Sequence, residues 1–194
     1  MASSIYTRNG DKGETGTAAG ERLPKDDSLF HAGGGLDELS AQFSLLILLI
    51  EQEELELQKP IVNQLQKLLQ LFFRAGSDIS LQTADSTISD ADVSWLESVT
   101  DQMDGQLPPL HDFLMPGGSI LLARTAICRT VARRVERDTI TAVREHHLPG
   151  ILLQLLNRVS DYLFTLERYL RLQSDLPAQT YGNAKTDKEL NTDE

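Results

Sequence analysis

The chain has 194 residues, 40% of them hydrophobic and 24% charged, with a formal net charge of −11. This is the composition of one ordinary globular domain, long enough to bury a core without a disulfide or metal staple. A single cysteine, Cys128, excludes an intramolecular disulfide framework and a Cys-rich zinc site and fits a reducing compartment; the acidic balance argues against wholesale binding to nucleic acid or anionic membrane, so a phosphate-bearing ligand needs a local concentration of positive charge.

Met1 to Ile5 lack the basic and apolar regions of a secretory leader. The longest apolar run, Leu45 to Ile50, is too short to cross a bilayer core that needs about 20 residues. A cytoplasmic protein is the expectation.

Residues 1–35 read as an N-terminal segment without helical pattern. Seven glycines fall between Tyr6 and Gly35, interspersed with Asp11, Lys12, Arg22 and Lys25, which argues for turns rather than a linker. From Leu36 the apolar residues Leu39, Phe43, Leu46, Ile47 and Ile50 recur at helical spacing. This predicts a first helix from Leu36 to about Gln58. A second helix is expected from Pro60 to about Gly76, then a loop over 77–88. Ser89 followed by Asp92 resembles a capped start for a third helix, ended by Gly105. The fourth should span about Ser119 to Arg144, and the fifth should follow Pro149-Gly150 to about Leu172. Strand signals are nearly absent. The expected fold is all-α: a five-helix bundle over 36–172, within a single domain of 1–174, and a polar tail over 175–194.

The fourth helix concentrates positive charge. It holds Arg124, Arg129, Arg133, Arg134, Arg137 and Arg144, and no lysine. Arg129, Arg133 and Arg137 share one face, about 6 Å of rise apart, where like charges repel. Guanidinium suits bidentate recognition of carboxylate or phosphate. A solvated face with local pairs such as Arg134–Asp138 is the plainer alternative. On the fifth helix, Asn157 and Asp161 share a face amid Leu155, Leu156, Val159 and Leu163. They are expected to join a buried network with the arginines, to reach a ligand, or both. The histidines show no metal-ligand spacing, so no metal held by protein alone is expected.

Four motifs in order carry a resemblance. They are Tyr6-Thr7-Arg8-Asn9-Gly10-Asp11-Lys12-Gly13-Glu14-Thr15, with Gly20 to Asp27 and Asp37-Glu38-Leu39 after it; Phe113-Leu114-Met115-Pro116-Gly117-Gly118; Cys128 to Arg137; and Leu156 to Phe164. Together they resemble the PduO-type ATP:cob(I)alamin adenosyltransferases. That resemblance implies a five-helix bundle, assembled as a homotrimer with sites between subunits. It implies transfer of the 5′-deoxyadenosyl group of ATP to cob(I)alamin, giving adenosylcobalamin and triphosphate. Thr7, Arg8, Gly10, Asp11, Gly13, Thr15 and Lys25 would hold ATP and its Mg²⁺, with Arg129, Glu136, Arg137 and Asn157 facing the nucleotide from the helices. Asp37 of one subunit would pair with Arg133 of another. Phe113 would stand where the lower axial ligand of cobalt otherwise binds, and Asp161 and Phe164 would line the corrinoid side. A flavoprotein reductase and an adenosylcobalamin-dependent enzyme are the partners it suggests. Departures from the family pattern, at Asn9, residues 16–19, 28–31, Gly34-Gly35 and Ser40, cluster on the nucleotide side. They leave open a second reading, a non-catalytic member that carries or senses corrinoid or nucleotide.

Overall fold

The computed structural model describes residues 8–53, 58–110, 112, 114–174 and 176. Thr7 and Phe113 lie outside the described residues. Two short strands come first, β1 (Glu14–Gly16) and β2 (Arg22–Pro24). Five helices follow: α1 (Ser28–Glu51), α2 (Gln58–Leu81), α3 (Asp90–Asp104), α4 (Ile120–His146) and α5 (Ile151–Gln173). The bundle agrees with the sequence reading; the strands do not. They pair antiparallel, Thr15 opposite Leu23. Three residues each are too few to show an alternating pattern.

The most extensive helix contact is α1 against α4. Asp27 meets His146 at 2.9 Å, Glu38 meets Arg134, and Gln42 accepts from Arg124 at 2.6 Å. Numbers rise on one helix as they fall on the other, so the two run antiparallel. The core stripe of α1 includes Leu36, Leu39, Phe43, Leu46 and Ile50, each 2% exposed or less. Each fully buried side chain of this kind contributes about 1.5–3 kcal/mol. Phe43 meets Phe72 of α2 edge to face, ring centroids 4.9 Å apart.

Three boundaries correct the sequence reading. α1 starts at Ser28, not Leu36, because Asp27 caps it: its carboxylate accepts from the Leu29 N–H at 2.9 Å. Gly33, Gly34 and Gly35 therefore lie inside a helix. α1 also ends at Glu51, earlier than predicted. α2 runs through Gly76 to Leu81, because Ala75 and Ile79 continue its buried stripe. The chain turns beyond it around Asp78, whose carboxylate accepts from Ser86 at 2.7 Å and from the Thr87 N–H at 2.9 Å.

The other starts follow the sequence. Ser89 and Asp92 form a reciprocal cap on α3. Burial pushes the Asp92 carboxyl up, but hydrogen bonds from Ser89 and the Arg74 guanidinium outweigh it and hold it below the ordinary Asp value. Ser119 caps α4. With its added turns, α1 has the length and apolar composition of a membrane span, mean hydropathy 1.3. Its polar partners on α4 and its buried stripe place it in the bundle.

Candidate active site

The N-terminal segment builds a compact turn. Gly13 adopts φ +86°, and its carbonyl accepts from the Lys25 N–H at 2.8 Å. Arg8 also has positive φ, and its carbonyl accepts from the Asp11 N–H. The Lys25 ammonium lies over Gly10: a Cβ there would stand 3.1 Å from Nζ. Arg8, Asp11, Gly13 and Lys25 are exposed, while Gly10 and Thr15 are partly covered. The hairpin docks on the end of α2 through Ala19 N–H to the Ser80 carbonyl, 3.3 Å. Between hairpin, α1 and α2 opens a groove of about 770 Å³, lined by Thr17, Gly33, Gly34, Asp37, Phe73 and Ser80 among others. Asp37 is exposed at its edge.

The arginine row lies on α4. Arg133 and Arg137 are exposed, and Arg137 Nη1 donates to the Arg133 carbonyl at 3.0 Å. Neither has an acidic partner among the described residues of the chain. Arg134, one position round, is tied to Glu38 and lies 3.5 Å from Asp138. The local pair of the plainer reading, Arg134–Asp138, is present, and the exposed Arg133 is compatible with either reading of this face. Glu136 is half-buried. Arg129 lies deeper, its guanidinium 5.9 Å from the Phe164 ring centre, with Nε buried and lacking a hydrogen-bond partner among the described residues. The Arg168 guanidinium lies 6.0 Å from the same ring centre.

Among the described residues, no hydrogen bond or ion pair joins Asn157 or Asp161 of α5 to the arginines of α4. Asn157 and Asp161 are both exposed. Asp161 pairs with Arg158 Nε at 3.1 Å, and Arg158 also reaches Glu97 of α3 at 3.5 Å. The flanking leucines cover the other faces of the helix, so its polar face needs no partner from α4.

The connection from α3 to α4 is held by arginines the sequence reading missed. Arg168 binds Asp104 at 2.9 Å and the Pro108 carbonyl at 2.6 Å. Arg171 Nη2 donates to the Gly117 carbonyl at 2.7 Å. Beneath sits Glu167, 5% exposed, whose carboxyl is pushed up by burial and pulled back by Arg129 and Arg171. The available signal was a Glu and an Arg four apart on an apolar helix. A hollow of about 260 Å³ adjoins, lined by Leu107, Leu110, Leu114, Arg168 and Leu172 among others.

Burial pushes the Cys128 thiol up to about 12, so it is not a nucleophile at neutral pH. Among the described residues, no group of three or more His, Cys, Asp or Glu could hold a metal ion. No hydrogen bond or ion pair among the described residues joins residues 8–25 to Arg129, Arg133 or Arg137. The described residues thus present two separate groups: a glycine turn with Lys25, and an arginine row whose first member, Arg129, lies by Phe164.

The fold is a five-helix bundle with exposed arginines on α4, and comparison with known proteins gives its class. Residues 5–170 match the cobalamin adenosyltransferase family. The chain is 35% identical over 185 residues to corrinoid adenosyltransferase MMAB of Bos taurus, covering 91% of this chain and 75% of that protein. It is 35% identical over 185 residues to the corrinoid adenosyltransferase of Mycobacterium leprae, covering 89% and 93%. Its fold matches a variant of the PduO-type ATP:corrinoid adenosyltransferase of Lactobacillus reuteri, solved with cobalamin and ATP, at TM-score 0.82 and 28% identity over 91% of this chain and 98% of that one. The chain belongs to the cobalamin adenosyltransferase family, PduO type.

Proposed function

We propose that this chain is a corrinoid adenosyltransferase, moving the 5′-deoxyadenosyl group of ATP to cob(I)alamin with release of triphosphate. The carrying observation is the α4 row: Arg133 and Arg137 stand exposed without a carboxylate partner among the described residues, in a chain of net charge −11. Cobalt(I) supplies the electron pair, so no protein nucleophile is required, and the new Co–C bond forms as the C5′–O bond breaks. The protein's part is to place the two substrates and to stabilise the leaving triphosphate.

The residues fit that part. The buried Arg129 Nε has no hydrogen-bond partner among the described residues. Arg137, Glu136 and Asn157 face the nucleotide from the helices in this reading, while the Arg8–Thr15 turn, Thr7 and Lys25 hold its phosphates with Mg²⁺. Asp161 and Phe164 belong to the corrinoid side with Phe113. The glycine turn and the arginine row join across a homotrimer seam, where Asp37 of one copy meets Arg133 of the next. Apolar residues left exposed on the same helices, Leu48 at 56% and Ile127 at 41%, support such a seam. Residues 1–174 act as one domain, in the cytoplasm, beside a flavoprotein reductase and an adenosylcobalamin-dependent enzyme.

The test is adenosylation with ATP, Mg²⁺ and chemically reduced cobalamin, followed by the spectral change to adenosylcobalamin, with ATP omitted as control. Arg133→Ala should lower turnover on the order of 100-fold, and Arg134→Ala far less. Corrinoid binding without product would overturn the transferase reading in favour of a carrier.

A further inference from the structure

We propose that Glu167 and Arg171 of α5 are positioning residues, a buried strut that sets the Pro116-Gly117-Gly118 turn and with it the corrinoid-facing connection before α4. The inference rests on the functional reading above and assigns a task to two side chains outside its machinery.

The geometry is specific. Glu167 and Arg171 are 5% and 4% exposed and lie one helical turn apart, Oε1 to Nη2 3.8 Å. That same Nη2 donates to the Gly117 carbonyl at 2.7 Å. The other terminal nitrogen, Nη1, lies 3.1 Å from where a Cβ on Gly118 would stand. Gly118 holds φ +103°, which disfavours any side chain there. The guanidinium therefore fills the space that this glycine leaves open. Arg168 grips the start of the same connection through Asp104 and the Pro108 carbonyl. Both ends of the segment are thus fixed to one helix.

Stability alone is a weak reason for this arrangement. Two charges taken out of water recover their hydration only in part, and an apolar pair of similar volume often serves a core as well. A leucine at 171 could fill the volume but could not fix the Gly117 carbonyl. Glu167 also faces Arg129 of α4, whose charge lowers its proton affinity. A displacement of the turn by about 1 Å would tell on the reacting geometry.

Three variants test this. Arg171→Met removes the grip, Arg171→Lys keeps the charge, and the double variant Glu167→Gln/Arg171→Met removes both charges of the pair if the single one folds poorly. In the grip-removing variants KM for the corrinoid should rise by about tenfold while KM for ATP holds within about twofold, and Arg171→Lys should recover part of the loss. The four-coordinate Co(II) signal formed with ATP should weaken in parallel. Hydrogen exchange at the Gly117 and Gly118 amides reads the strut without reference to activity and should quicken by about tenfold, α1 and α2 amides unchanged. Unchanged exchange at the turn, or equal rises in both KM values, would overturn the strut. Quickened exchange in a protein whose wild type makes no adenosylcobalamin would defeat the transferase reading instead.

Discussion

Gly13 and Gly20 in the N-terminal turn and Gly35 in α1 lie in two regions that use the missing side chain for opposite ends. In the N-terminal turn the backbone needs it: Gly13 sits at φ +86°, and a Cβ on it would meet nothing within 4 Å. In α1 the neighbour needs it: a Cβ on Gly35 would come within 2.9 Å of Val135 Cγ2 on α4. One region is exposed and shaped by its own main chain. The other lies where two long helices approach closely and the core is continuous. A glycine-rich stretch in a sequence therefore announces either conformation or proximity, and its composition does not say which.

The sharpest way to break this contrast is Gly35→Val. A branched side chain forced against a stiff valine should cost about 3 kcal/mol and lower Tm by about 6–12 °C, read by thermal unfolding. A Tm within a degree of wild type would mean that α1 and α4 separate readily. Gly13→Val should impose about 1–2 kcal/mol of left-handed strain on an exposed turn. Its effect should appear as a higher KM for ATP with the bundle's melting unchanged; a lower Tm with unaltered KM would reverse the assignment.

Asp92→Asn tests the bundle side at a cap and should cost about 1 kcal/mol near neutral pH. The folded-state carboxyl lies below the ordinary Asp value of 3.8, so its contribution is present above that value and lost as pH falls through the lower folded one. The stability gap between wild type and variant should therefore close below about pH 4, measured by denaturant titration across pH. A gap that persists in acid would assign the loss to packing. The smallest effect is Gly33→Ala: it is helical, with nothing within 4 Å of an added Cβ, so alanine should stabilise by about 0.5–1 kcal/mol. A loss of stability there would show that the groove beside Gly33 tolerates no added methyl.

The helix register was legible from single residues. Ser89 marked the start of α3 because an N-cap hydroxyl acts on backbone two or three residues away, and Ser119, expected as the first residue of α4, is its cap. The Arg129, Arg133 and Arg137 row followed from helical spacing alone. Asp27 was not read as a cap, because the glycines after it suggested turns and its use depends on α1 having α4 to lie against. The exposure of Asn157 and Asp161 was also illegible: apolar neighbours in sequence face other directions once α5 is wound.

The sequence by itself determined the five helices, the arginine face on α4 and the family, since each depends on local periodicity or on ordered motifs. Only the tertiary structure decided that Arg134 is spent on Glu38 while Arg133 stays available, and that Arg168 and Arg171 hold the connection before α4. Those outcomes depend on which side chains meet across helices up to 96 positions apart in the chain. Pairwise contact at that distance is set by packing the whole core, and no short stretch of residues encodes it.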